Sequence, residues 1–188
     1  MKIKKIKLFT LLFCSLAMFL LTVISVNAQN RLTSQSKVYI NGIGAIRVGM
    51  TVEQASRASG TRLIPDNYTG GSENSSCFYV HPESFSQKIE LMVTNGRISR
   101  VDVLGDKRIT TVKGARIGDT ESRIKSLYSG QITFGQDGSS GPTYHLLMFT
   151  PKNRAERQYR IIFEIYKNRV SSFRAGKLPE VKYSEGCA

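Results

Sequence analysis

Apolar residues in this chain fall into one long opening run, then two short helical stripes, each followed by segments that alternate apolar and polar positions. Val52, Ala55 and Ala58 recur at helical spacing, as do Ile124, Leu127 and Tyr128, and Thr51 and Thr120 stand where an N-cap belongs. Gln54 completes a capping box with Thr51, Glu121 places an acid in a first turn, and Gly60 and Gly130 mark the stops. Alternation predicts strands over 77–81, 88–94 and 97–104, and again over 144–150, 159–166 and 169–175, with extended segments at 37–43 and 107–112 ahead of the helices. Asn95-Gly96 and Lys167-Asn168 separate the last two strands of each set as hairpin turns. On the returning strands Ile98 precedes Val101 and Val103, and Val170 precedes Phe173 and Ala175. That odd spacing breaks a period of two, so a β-bulge is expected at the same point of each set.

The two sets are one pattern written twice. An offset of 69 residues aligns Arg47, Gly49 and Thr51 with Arg116, Gly118 and Thr120, and Tyr79-Val80-His81-Pro82 with Met148-Phe149-Thr150-Pro151; an offset of 72 then aligns Ile89 to Val101 with Ile161 to Phe173. Three blocks in one order read as a tandem duplication. Neither copy alone buries much, so the expected fold is α+β: two tandem repeats, each a short helical segment followed by an antiparallel sheet of three or four strands, with the helices on one face. Residues 38–106 form the first repeat and residues 107–188 the second, with a C-terminal tail; residues 29–37 are expected to be a flexible N-terminus.

The opening run has the form of an export signal over residues 1–28. Lys2, Lys4, Lys5 and Lys7 precede an apolar stretch, and Val26-Asn27-Ala28 predicts cleavage between Ala28 and Gln29. The alternative is an uncleaved anchor; cleavage leaves no integral membrane span. A secreted or periplasmic location follows, and with Cys14 removed, Cys77 and Cys187 are left as an even pair for a disulfide.

Charge then separates the halves. Of the formal +13, residues 38–106 contribute −1 and residues 107–188 contribute +8. In the second half Ile161, Phe163 and Ile165 face the helix by alternation, which turns Arg160, Ile162, Glu164 and Tyr166 outward. With Met92, Arg154, Arg157, Arg169 and Arg174 these form the candidate binding face, basic with apolar residues among the charges.

Catalytic and cofactor signatures are not met. His81 and His145 lack neighbours at ligand spacing, so neither metal nor cofactor is expected, and Cys77 and His81 lie too far apart along a strand for a nucleophile and base. Gly42-Ile43-Gly44 and Gly138-Ser139-Ser140-Gly141 read as turns rather than phosphate loops, while Asn67 and Asn74 begin glycosylation-type triplets. Basic residues are not interleaved with stacking aromatics, so a protein or an anionic envelope polymer is a better partner than nucleic acid.

Arg47-Val48-Gly49-Met50-Thr51, with Gly60 after the helix and the hairpin beyond, resembles the small outer-membrane assembly lipoproteins of the SmpA/OmlA group (BamE-like). The tandem arrangement resembles the β-lactamase inhibitory protein. The resemblance implies a non-catalytic binding protein outside the cytoplasm, contacting its partner through an exposed sheet face. An inhibitor of an extracellular hydrolase, probing with the loops around 66–76 or 137–142, is the second reading. An enzyme with an unrecognised site, for which His81, His145, Asp119 and Glu164 would be the test positions, is the third.

Overall fold

The computed structural model describes residues 31–66, 75–85, 88–135 and 143–187. The expected signal segment with Ala28 and Gln29, the asparagines of both glycosylation-type triplets, residues 67–74 of the expected 66–76 loop and the expected 137–142 loop lie outside the described residues.

Among the described residues twelve strands build two sheets. The large one runs β4 (Leu63–Pro65), β5 (Cys77–Pro82), β6 (Ile89–Thr94), β7 (Arg97–Val103), β12 (Arg169–Lys177), β11 (Tyr159–Tyr166), β10 (Tyr144–Phe149) and β9 (Ile132–Gly135). The small one runs β3 (Ile46–Arg47), β2 (Gly42–Ile43), β1 (Lys37–Tyr39) and β8 (Thr110–Thr111). The only helices longer than a single 3₁₀ turn among the described residues are α1 (Val52–Ser59) and α2 (Glu121–Leu127).

This corrects the α+β expectation. The protein is mostly β, and its sheets are not divided into a pair of helix-plus-sheet units. Two features make the difference. First, β7 and β12 pair antiparallel, with Val101 opposite Ala175 and Val103 opposite Phe173, so eight strands form one sheet through both halves. Second, the supposed lead-in segments are strands of a separate sheet, in which β1 and β8 pair parallel and place Val38 opposite Thr111. That small sheet shares with the helices the task of covering the large one: Val38, Ile43, Ile46, Ala55 and Ile124 join Leu91, Val101, Leu147, Phe163 and Phe173 in one core cluster. Nor is the N-terminal stretch loose throughout, because Leu32 is buried in that core and its N–H donates to the Ser59 carbonyl at 2.9 Å.

Local chemistry explains each element. Thr51 Oγ1 accepts from the Gln54 N–H at 3.2 Å while Gln54 Oε1 accepts from the Thr51 N–H at 2.9 Å, and Gly60 closes α1 in the left-handed region. Thr120 caps α2 by accepting from the Arg123 N–H at 3.3 Å. Both hairpins turn through two residues of positive φ, Asn95-Gly96 and Lys167-Asn168, the twist that adjoining strands require. The bulges fall at Ser99 and Ser171, between register shifts at Met92/Val93 and Glu164/Ile165. Each bulged serine donates its hydroxyl across the hairpin at 3.1 Å, Ser99 to the Met92 carbonyl and Ser171 to the Glu164 carbonyl. Restored alternation beyond each bulge returns Val101 and Phe173 to the core side.

Candidate functional site

Alternation leaves an outer face on the large sheet, turned away from the helices. It carries Tyr79, Glu90, Met92, Arg100, Asp102, Leu146, Met148, Ile162, Glu164 and Arg174, each on the strand face opposite the core residues. This face is not open. After β12 the chain turns at Pro179 into a 3₁₀ turn, Glu180–Lys182, and continues to Cys187 across the sheet. A disulfide joins Cys187 to Cys77 on β5, with Cα atoms 5.4 Å apart and 110 residues between them in sequence. Residues 178–187 are thus a strap over the outer face.

Charged groups hold the strap from below. Arg100 Nη1 donates to the carbonyls of Glu180 (3.1 Å) and Tyr183 (2.8 Å), its Nη2 donates to the Tyr79 hydroxyl (2.7 Å), and its Nε donates to Asp102 Oδ2 (2.9 Å). Arg174 Nε donates to the Val181 carbonyl at 2.8 Å, and its Nη1 pairs with Glu164, which also accepts from Ser172 Oγ at 2.7 Å. Glu180 in turn accepts from Thr94 Oγ1 and pairs with Lys177, both at 3.0 Å. Close approach at the sheet seam makes room for this lattice. Gly176 stands opposite Arg100, and a Cβ there would lie 2.5 Å from the Ser99 carbonyl oxygen. Bidentate forks reaching backbone carbonyls suit arginine, whose five donors lie in one plane.

The strap redistributes the candidate binding residues. Met92, Ile162 and Arg174 are 0%, 2% and 5% exposed, so none of them belongs to a free surface. Ile162 instead packs with Leu146 and Val181 in a small second core. Arg154, Arg157 and Arg160 gather at the start of β11, where Arg160 Nη1 donates to the carbonyls of Arg157 (2.7 Å) and Tyr159 (2.6 Å). Tyr166 and Arg169 lie at the opposite end of that strand pair, about 20 Å away by strand rise. Arg169 is exposed, yet its Nη1 donates at 2.8 Å to the Gly118 carbonyl, as Arg97 does to Gly49 at 2.7 Å, bracing the turn before each helix. The structure therefore does not bring the eight residues together as one patch.

What stays open beside the strap is a groove of about 290 Å³ lined by Phe134, Gly135, Leu146, Met148, Ile162 and Lys182. Of its apolar residues Leu146 and Ile162 are buried and Met148 is half-buried, its rim carries the exposed Lys182, and β9 forms its outer wall. Gly135 keeps that wall low, because a Cβ there would meet Leu146 Cβ at 2.8 Å. At the disulfide end a hollow of about 490 Å³ is bounded by Thr94, Asn95, Glu180 and Tyr183, so the strap is one of its walls. Alternation along β10 would have shown Leu146 and Met148 to be outward apolar residues. The contribution of Lys182 has no signal in the strand pattern.

Other test positions have structural partners. His145 Nε2 lies 2.8 Å from Glu121 Oε2, and Glu121 also pairs with Lys125 at 2.6 Å. Asp119 accepts from the Arg116 N–H at 3.0 Å and pairs with Arg123 at 3.3 Å. Among the described residues no group of three or more His, Cys, Asp or Glu is placed to hold a metal ion, and no helix is long and apolar enough to cross a membrane.

Glu90 is the titrating group of the outer face. Burial, reinforced by the Asp102 and Asp66 carboxylates and opposed by Arg100, pushes its carboxyl up to about 7. Between the ordinary glutamate range and 7 the folded chain holds a proton that the unfolded chain has released. This contribution is therefore present in full at low pH and is lost as pH rises through 7. With screening of a half-exposed carboxyl allowed for, stability is expected to fall by about 1 to 2 kcal/mol from about pH 5 to about pH 8. Urea unfolding of wild type and Glu90→Gln checks this: the variant is expected to lose that decline, and parallel profiles would show that Glu90 is not its source.

No family model matches the chain, and comparison with curated proteins and with solved structures gives no match either.

Proposed function

We propose that this is an exported, non-catalytic binding module that grips an acidic partner protein with the strip of its outer sheet face left open beside the C-terminal strap. The observation that carries the reading is the groove: the half-buried Met148 lies in it beside β9, over the buried Leu146 and Ile162, and Lys182 stands at its rim. The half-buried Met148 and the exposed Phe134 on the bordering strand offer apolar contact to protein side chains, which a sugar or phosphate polymer would use less well. The +8 of residues 107–188 adds long-range attraction for an acidic surface. Export is supported by the leader-like opening and by a disulfide that an oxidising compartment preserves. The resemblance to envelope assembly lipoproteins and to the β-lactamase inhibitory protein favours binding over catalysis, and it rests on sequence motifs alone.

A photo-cross-linking amino acid placed at Met148, with the exposed Lys107 on a loop outside the strands as control, tests the site in the native exported fraction. A discrete adduct with an acidic protein is expected from position 148 and not from 107. Identical products from both positions, or none from 148, would remove the groove from the proposal.

A further inference from the structure

The large sheet has two edges, β4 and β9, and they occupy corresponding places in the two halves: Leu63 and Pro65 stand 69 residues before Ile132 and Phe134. Hydrogen-bond phase decides what each edge offers. The Thr150 N–H donates to the Gln131 carbonyl at 3.0 Å, and Thr133 stands opposite Met148 and Gly135 opposite Leu146. Main-chain groups of Gln131, Thr133 and Gly135 are therefore turned toward β10, and those of Ile132 and Phe134 are turned away from the sheet. On the other side the Glu83 N–H donates to the Arg62 carbonyl at 3.0 Å and the Asp66 N–H to the Tyr79 carbonyl at 2.9 Å, so Leu63 and Pro65 are the outward residues of β4. Proline has no N–H to give. The first edge is thus blunted at the position where it would accept another strand, the common device against edge pairing. At the matching position of the second edge is Phe134, 62% exposed, with a main-chain N–H that is turned away from the sheet and has no acceptor among the described residues. A protein that protects one edge with proline and leaves an exposed aromatic on its counterpart presents the second for use.

Charge indicates what would use it. Lys182 lines the groove on one face of β9 and Lys152 follows the Thr150-Pro151 step beside the start of the strand, while on the other face Lys125 Nζ stands 4.9 Å from the Phe134 ring centre and is paired with Glu121. Pairing of two β9 edges would bring two such basic borders together. An acidic strand would be drawn to them.

We propose that β9 is a strand-addition site that takes an extended, acidic segment of a partner protein as a ninth strand, paired through the main-chain groups of Ile132 and Phe134. This deepens the binding reading by naming the partner's conformation and sign of charge. The segment's alternate side chains would reach the groove on one face and Phe134 with Lys125 on the other.

A fluorescein-labelled peptide of alternating Val and Glu, titrated with the protein and followed by fluorescence anisotropy, is the probe. Binding is expected, at least about tenfold weaker for the same peptide with Lys in place of Glu and weakened by salt. Phe134→Pro, which copies the β4 device onto β9, is expected to reduce binding by at least about tenfold. Should that variant fold poorly by circular dichroism, two peptides N-methylated at alternate amides in opposite phases supply the same test: one phase is expected to bind and the other not. No binding up to about 1 mM, equal binding of the Lys peptide, unchanged binding by folded Phe134→Pro, or two methylated phases that bind alike would each overturn the proposal. Sedimentation showing dimers lost in Phe134→Pro would overturn it in favour of a second copy. Cross-links at Met148 that survive failure of the peptide would leave the groove reading standing while ending the edge one.

Discussion

Arg100→Ala is expected to remove about 3 to 5 kcal/mol of folding stability, more than any surface substitution on this chain, because its guanidinium is the shared support of four groups. Arg100 is 5% exposed and donates to Asp102, Tyr79 and two strap carbonyls, those of Glu180 and Tyr183. Truncation strips the buried Asp102 carboxylate, itself 5% exposed, of its hydrogen-bonded countercharge and leaves two carbonyls and a phenol without their donor. Arg100→Lys keeps the charge, but a single ammonium cannot address acceptors spread around a planar fork, so an intermediate loss is expected. The pair Arg100→Met with Asp102→Leu should recover much of the deficit, since both unsatisfied charges leave together. Urea unfolding measures the losses, and limited proteolysis reads the strap separately: cleavage after Lys182 or Tyr183 is expected to accelerate in Arg100→Ala. A stability change below about 1 kcal/mol would mean that the ionic lattice is not what holds the strap.

Replacing both cysteines, Cys77→Ser with Cys187→Ser, is the second large effect. The bridge closes a loop spanning a separation of 110 residues, so the chain-entropy model puts its contribution at about 4 to 5 kcal/mol, acting mainly by restricting the unfolded chain. The expected result is a lower urea midpoint in the double variant, matched by wild type in reductant and indifferent to reductant in the variant. Coincident midpoints for oxidised and reduced wild type would refute it. The strap is expected to loosen only past Tyr183, because the contacts of Arg100 and Arg174 hold the carbonyls of Glu180, Val181 and Tyr183 independently of the bridge. The two perturbations therefore differ in kind. Losing Arg100 frees the middle of the strap, whereas losing the disulfide frees its end.

This division bears on the proposed function. Met92, Leu146, Ile162 and Arg174 are buried on the outer face and Met148 is left half-buried beside the groove, so the open strip of that face lies between the strap and β9. A shorter strap would uncover the buried Met92 and Ile162 together with the charged groups Arg100, Asp102 and Arg174. Held in place, it would confine the proposed contact surface to the second half, where the positive charge is concentrated.

Sequence by itself determined the local pieces. Alternation located β5, β6, β7, β10, β11 and β12, the odd spacings after Ile98 and Val170 located the bulges at Ser99 and Ser171, and Thr51 with Gln54 specified a cap that the structure contains. Those features depend on neighbours within a few residues, and the periods of strand and helix make such neighbours readable. Fold class, and which outward residues are covered, were decided only by tertiary structure. Nothing near β7 or β12 says that their free edges meet, or that residues 37–47 pair with Thr110 and Thr111 in a second sheet. Alternation turned Met92, Ile162 and Arg174 outward, but whether an outward residue meets water depends on what lies above it. For Met92 and Arg100 that cover comes from a segment about 80 residues later in the chain, placed by a disulfide and two arginines. Orientation is a property of the local backbone, while burial is a property of the whole chain.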